Sequence, residues 1–257
     1  MTRTAGGPAG DDDHGPVGEG DTRYRRPEPA FERAIRVALG QARTVLDVGA
    51  GTGSYEPRDR EVTAVEPSAA ARARRPADLP EALDATAEDL PFADDAFDAA
   101  LSTFSVHRWS DLERGLAEVR RVTRGPVVLL TSDPARVQDH WLADYAPEVV
   151  AAEARRYPSL DRIADALGGQ VTTTRLPIPF TCVDGFSEAY YGRPERLLDT
   201  GARRADPAWA SVDEMTAARS VAALRTAVED GSWDARYGRL RVQPSYEGAL
   251  VLVVAQP

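Results

Sequence analysis

Residues 45–55 read Val-Leu-Asp-Val-Gly-Ala-Gly-Thr-Gly-Ser-Tyr, a strand-type apolar run that breaks into glycines at 49, 51 and 53. Glycines at alternate positions let the backbone turn sharply and let a ligand approach the main chain more closely than any side chain would allow. A second apolar run, from Val62 to Val65, ends in Glu66, 19 residues after Asp47. An acid at that distance can accept both hydroxyls of a ribose. The combination describes a nucleoside-cofactor site at the edge of a sheet.

The surrounding pattern builds that sheet. A helix is expected over 29–39, where Phe31, Ala34, Ile35, Ala38 and Leu39 share a face. Strands are expected at 44–48, 62–65 and 97–103, with a weaker one around 82–85. Ser110 with Glu113 has the pattern of a capping box for a helix whose Leu112, Leu116, Val119 and Val122 face the sheet, and Gly125 ends it before a buried run at 127–131. Strands separated by helices and too apolar to face water imply a parallel arrangement. Beyond Asp133, helices are expected at 137–145 and 160–167, a strand near 171–176, and a last strand at 249–255. About 70 residues lie between these two strands, too long for a plain connection. They include a helix near 212–228 with a second capping pattern at Ser211 and Glu214.

Composition closes off several functions. The chain has 257 residues and is 42% hydrophobic, enough for one α/β domain with insertions. A net charge of −10 opposes nucleic acid or an anionic membrane as partner. All 31 Lys and Arg residues are arginine, so a Schiff-base or phosphate-loop lysine is excluded. Abundant Ala, Arg and Pro point to a high-GC bacterial gene. The single cysteine, Cys182, excludes an internal disulfide and fits a reducing cytoplasm. No apolar stretch reaches membrane-spanning length, so a cytosolic protein is expected. Residues 1–21 are rich in Gly, Pro and acid, including Asp11-Asp12-Asp13, and read as a disordered tail. No spacing of His, Cys and carboxylates announces a metal site.

The detailed motifs resemble those of class I S-adenosylmethionine-dependent methyltransferases of the type 11 subgroup. The resemblance is carried by Leu46 to Gly53, by Val62 to Ser68, by Ala87-Glu88-Asp89-Leu90-Pro91-Phe92, by Asp95-Ala96-Phe97-Asp98 and by Phe104-Ser105-Val106-His107-Arg108-Trp109. It covers residues 43–132, about half of the chain. It implies a Rossmann-like doubly wound sheet of seven strands, mostly parallel with one antiparallel strand, and a substrate cap drawn from segments at about 22–40, 134–160 and 177–245. S-Adenosyl-L-methionine is the implied cofactor. A nicotinamide enzyme is the rival reading, but its Gly-x-Gly-x-x-Gly pattern would need glycine where Ser54 stands. Only eight residues separate Gly53 from Val62, with Pro57 among them, leaving room for one or two helical turns as a pyrophosphate seat. A cofactor-binding protein without catalysis is the other alternative.

Site residues follow from the motifs. Gly49, Ala50, Gly51 and Gly53 are expected to offer backbone approach and Glu66 to hold the ribose, with Pro67 and Ser68 beside it. Asp47 orders the loop and the methionine ammonium. The resemblance places Glu88, Asp89 and Leu90 at the adenine, Thr103 and Phe104 near the sulfonium, and Tyr24 within reach of the methionine carboxylate. His107 is the candidate base for an acceptor hydroxyl, with Trp109 shaping the pocket; His140 and Asp133 are weaker candidates. Cap residues Trp141, Tyr145, Phe180, Phe186, Tyr190, Tyr191, Arg193 and Trp209 either line an acceptor pocket or form the core of the cap. The expected acceptor is a small molecule, methylated on oxygen, with a natural product as one setting.

Overall fold

The computed structural model describes residues 21–257. The tail expected over 1–21 lies outside these, apart from Asp21, which opens the first helix. Alternation along the strands sets a sheet between two apolar layers. Val45, Leu101, Val128 and Leu130 point into one layer, and Leu46, Ala100, Val127 and Leu129 into the other, as the two-residue period of a strand requires.

In chain order the elements begin with α1 (Asp21–Tyr24), α2 (Pro29–Ala38), β1 (Thr44–Val48), β2 (Glu61–Val65) and α3 (Ala69–Arg72). They continue with β3 (Ala99–Thr103), α4 (Leu112–Arg121), β4 (Val127–Ser132), α5 (Pro134–Val137), α6 (Pro147–Arg156), α7 (Leu160–Leu167) and β5 (Gln170–Arg175). The remainder is β6 (Ile178–Pro179), α8 (Thr200–Arg204), α9 (Pro207–Ala210), α10 (Glu214–Glu229), α11 (Ser232–Tyr237), β7 (Ser245–Tyr246) and β8 (Leu250–Gln256). The main sheet has the order β2-β1-β3-β4-β8-β5, with β8 antiparallel to both of its neighbours and the other pairs parallel.

This sheet has six strands where seven were expected. The missing one is the weak run at 82–85. Leu83 alone pairs with β2, donating to Ala64 and accepting from Glu66, after which the Ala85 N–H turns back to the Leu83 carbonyl. The chain therefore leaves the sheet edge after one residue.

On one face, α2 begins where Glu28 accepts from the Ala30 N–H and Pro29 fills the first turn. Its Phe31 and Ile35, with Leu39 just beyond, are buried at helical spacing against β4 and β8. Each such side chain contributes about 1.5–3 kcal/mol. On the opposite face, α4 and α7 pack together through Leu116, Val119, Ile163 and Leu167.

The caps differ from the expected ones. Asp111, and not Ser110, accepts from the Arg114 N–H at the start of α4. Ser110 donates instead to Glu88. At α10 the cap is Asp213, which accepts from both the N–H and the hydroxyl of Thr216, while Ser211 reaches only the Pro207 carbonyl. The helix expected over 137–145 is broken at His140, which is extended (φ −72°, ψ 139°) and whose Nδ1 accepts from the Leu142 N–H, so that α5 ends at Val137 and only a 3-10 turn follows over Trp141–Asp144.

Asp213→Ala should therefore cost about 1 kcal/mol in urea unfolding, whereas Ser211→Ala should stay within about 0.5 kcal/mol. Equal losses would reject this assignment of the cap.

Candidate cofactor and acceptor site

The parallel strands deliver their C-terminal ends to one edge, where the glycine turn sits. Gly49, Gly51 and Gly53 all have positive φ, at 69°, 54° and 82°. The N–H groups of Gly49 and Ala50 both donate to the Val65 carbonyl, at 2.9 and 3.0 Å, tying the turn to β2. Gly49 is needed for packing, since a Cβ there would lie 1.8 Å from Ser105 Oγ. Gly51 is different. A Cβ on it would meet nothing within 4 Å, so the loop opens to space there.

Glu66 borders this opening. Its Oε2 accepts from the Gly51 N–H and its Oε1 from the Ser68 N–H, both at 2.8 Å. Each oxygen keeps acceptor capacity for a further donor. Asp47 lies behind the loop, 2% exposed, with Oδ1 unpartnered among the described residues. Burial pushes its carboxyl well above the ordinary carboxylate range; Glu56 and Glu66 add to the rise, and Arg75 opposes it. Residues 54–60 form turns and coil, so no helix begins directly after the loop.

The predicted adenine residues follow from the Leu83 bridge. Glu88 accepts from the Ser110 hydroxyl and the Asp111 N–H, at 2.9 and 3.1 Å. Burial works to raise its carboxyl, but these bonds outweigh it and hold the group low. Asp89 is exposed, and the Leu90 N–H already donates to Glu118 at 3.2 Å. Pro67 accepts from Arg72, and Ser68 caps α3. The Tyr24 hydroxyl is taken by Asp199 of the later insertion, at 2.7 Å.

Thr103 ends β3, and Phe104 follows it at φ 50°, left-handed for a non-glycine residue. The rings of Tyr55 and Phe186 lie 6.3 and 6.0 Å from that of Phe104, and the Arg25 guanidinium sits 5.5 Å over it. Arg25 is ion-paired to buried Asp184, to which the Tyr55 hydroxyl also donates at 2.7 Å. The same hydroxyl accepts from the Glu28 N–H, at 3.1 Å. The N-terminal segment, the glycine loop and the later insertion thus meet at one carboxylate. Sequence reasoning missed Arg25, Tyr55 and Asp184. Tyr55 had a local signal, two residues past Gly53; the other two had none.

His107 lies in a short 3-10 turn, with Nε2 2.9 Å from Arg156 Nη2. Arg156 also pairs with Glu153 at 2.6 Å, and Glu153 accepts from the Tyr157 hydroxyl at 2.8 Å. Burial, chiefly, raises the Glu153 carboxyl. A groove of about 480 Å³ runs along His107, Trp109, Ser110, Arg156 and Tyr157. The Trp109 indole donates to Ser105 beneath the glycine turn.

The other aromatic candidates sit inside the insertion. Tyr191 is fully buried, stacks on Tyr246 and donates to the Gln243 carbonyl, while Trp141 donates to the Tyr191 carbonyl. Tyr190 is 4% exposed. The guanidinium of Arg193 donates to the Cys182 and Ala189 carbonyls between the Phe180 and Tyr190 rings. His140 is buried and pushed down to about 3 by that burial, and Asp133 caps α5.

An open, mostly parallel sheet with a glycine turn and a distal acid at the C-terminal edge of its parallel strands is a class I, Rossmann-like architecture. Residues 46–130 match the methyltransferase domain family, type 11. A solved structure from Anabaena variabilis, described as a proposed methyltransferase of an antibiotic biosynthesis pathway, is 27% identical with a TM-score of 0.83, over 91% of this chain and 99% of that one. The uncharacterised protein YafE of Escherichia coli is 34% identical over 122 residues, 44% of this chain and 57% of its own length. A malonyl-[acyl-carrier protein] O-methyltransferase of Erwinia pyrifoliae is 35% identical over 144 residues, 52% of this chain and 54% of its own. The chain thus spans about half the length of the curated relatives it matches. Over residues 46–130 it is similar to methyltransferase domains of the type 11 family, and its fold is the class I, Rossmann-like one of the solved methyltransferase structure.

The two loop glycines separate packing from ligand approach. Gly49→Ala should destabilise the protein by several kcal/mol, because steric overlap adds to backbone strain; Gly51→Ala should cost only the strain, about 1–2 kcal/mol. Similar melting temperatures for the two variants would contradict that division.

Proposed function

We propose that this protein is an S-adenosylmethionine-dependent methyltransferase that methylates a hydroxyl of a small molecule. The observation that carries the reading is the open face at Gly51, bordered by the Glu66 carboxylate and backed by the buried Asp47. These groups suit a nucleoside joined to an amino acid. Glu66 would take the ribose hydroxyls, Gly49 to Gly53 the close backbone approach, and Asp47 the ammonium. Pro67 and Ser68 border the ribose, while Glu88, Asp89 and Leu90 follow on the adenine side. Turns in place of a helix after Gly53 disfavour a dinucleotide, whose pyrophosphate needs that helix N-terminus.

When bound, S-adenosylmethionine supplies a methyl group activated by a sulfonium. The chain supplies alignment and exclusion of water. Thr103 ends β3 at this edge with Phe104 just after it, and the Tyr55, Phe104 and Phe186 rings, with Arg25 over Phe104, form an aromatic wall for the acceptor. This relocates acceptor recognition from Trp141, Tyr190, Tyr191 and Arg193, of which Trp141, Tyr191 and Arg193 bond to main-chain carbonyls and Tyr190 is buried, to the wall beside Phe104. The antibiotic-pathway relative supports a natural-product acceptor.

His107 is the base we assign to the acceptor hydroxyl. Arg156 must first release Nε2, and Glu153 at 2.6 Å is there to retain the guanidinium. A second reading, catalysis by alignment alone, is favoured by the same hydrogen bond, since a protonated ring would face a guanidinium.

Calorimetry with S-adenosylhomocysteine tests the cofactor site. Glu66→Ala should lose charge-assisted ribose bonds worth about 1.5–3 kcal/mol, or about ten- to a hundredfold in affinity. Unchanged affinity in the folded variant removes Glu66 from the site, and binding of NAD in place of the homocysteine compound overturns the reading.

Kinetics separate the two catalytic readings. With a hydroxyl acceptor in hand, His107→Ala should slow methyl transfer about a hundredfold while cofactor affinity stays within a few fold. A full rate would leave alignment as the mechanism.

A further inference from the structure

The turns that follow the glycine loop leave an excess of buried negative charge behind it. Asp47 and Glu56 are 2% and 5% exposed, and each keeps one oxygen, Asp47 Oδ1 and Glu56 Oε2, without a hydrogen-bond partner among the described residues. One buried cation serves both. Arg75, its side chain 4% exposed, sets Nη2 2.7 Å from Glu56 Oε1. Its other bonds go to the carbonyls of Gly51 and Pro80. Glu66 adds a third negative charge facing Asp47, and Arg58 a second positive charge facing Glu56. Arg58 is itself spent on Asp78, at 2.7 Å on the surface.

Two ionised carboxylates out of water beside one guanidinium are costly, because the second charge has no counter-ion. The imbalance is relieved either by a proton or by a further cation. The site is tied to the ligand face, since Arg75 contacts the carbonyl of Gly51, the residue at which the loop opens. Building on the reading of this loop as a methyl-donor site, we propose that Glu56 joins Asp47 in holding the donor's α-ammonium, and that the carboxylate pair carries a proton in the free protein which the arriving ammonium displaces.

Burial raises both carboxyls, that of Asp47 well above its ordinary value, in line with a shared proton before ligand arrives. The sign of the linkage follows. The ammonium favours the ionised pair, so binding releases a proton, and affinity rises with pH through the window in which the free pair titrates, above the ordinary carboxylate range. Glu56 is in this scheme a specificity residue for the amino-acid end of the donor, and Arg75 its positioning partner.

The test compares S-adenosylhomocysteine with 5′-methylthioadenosine, which keeps the nucleoside but lacks the ammonium. Calorimetry of the wild-type protein near neutral pH, in two buffers of different ionisation enthalpy, should show release of up to about one proton with the first ligand and none with the second. Glu56→Gln should weaken S-adenosylhomocysteine about tenfold or more while leaving 5′-methylthioadenosine within about twofold. No proton release by the wild type overturns the proposal, and so does an equal loss of both ligands in the variant. The proton count needs no variant, so it decides the matter even if Glu56→Gln does not fold. Should neither ligand bind the wild type, the methyl-donor reading fails and this inference falls with it; binding of both without proton release sinks the inference alone.

Discussion

Everything at this site depends on the Val65 carbonyl holding two consecutive N–H groups, those of Gly49 and Ala50. That pair of bonds stops β1 and forces the backbone into the left-handed region at Gly49, Gly51 and Gly53. The turn is then clamped from below by Ser105, which would collide with any side chain at position 49. Its outer rim is set by Glu66, whose two oxygens join Gly51 on the first strand's loop to Ser68 beyond the second. A rim that is prepared in the free protein costs little to order when a ligand binds. The turn itself is mostly backbone, so it is shaped by the strands and not by mobile side chains.

A second node lies at Asp184, where a carboxylate from the later insertion receives Arg25 of the N-terminal segment and Tyr55 of the glycine loop. This buried group makes the position of the insertion and that of the loop parts of one arrangement. The Phe104 ring lies between those of Tyr55 and Phe186, with the Arg25 guanidinium above it. A hydrogen-bonded carboxylate among aromatic rings is expensive to break, because the partners left behind lose their compensation. The wall next to the glycine loop therefore owes its geometry to residues far apart in sequence.

Those distances decide what could be read from the amino acids. β1 and α7 occupy the expected residues because their signals are local: an apolar run that ends in glycine, and a Ser159 cap followed by apolar residues at helical spacing. The strand at 82–85 shrank to a bridge because only Leu83 finds partners, which short-range pattern cannot foresee. At α4 both Ser110 and Asp111 are competent caps, and the choice fell to Asp111 because Ser110 is bonded to Glu88, 22 positions away. Arg25 and Asp184 are separated by 159 positions and leave no local trace. The aromatic residues of the insertion were visible as a group, yet composition does not distinguish a pocket lining from a core. Burial of Tyr191 assigns it to the core, and the bonds of Arg193 tie its guanidinium to carbonyls of the insertion itself.

The central claim is that the rim of Gly51 and Glu66 receives the ribose of a methyl donor. A crystal structure of the protein with S-adenosylhomocysteine tests it most directly. Both ribose hydroxyls are expected on the Glu66 carboxylate, with the nucleoside against the Gly51 backbone and the amino-acid end turned toward Asp47. A nucleoside bound elsewhere at saturating ligand, with Glu66 contacting only the Gly51 and Ser68 N–H groups, would contradict it.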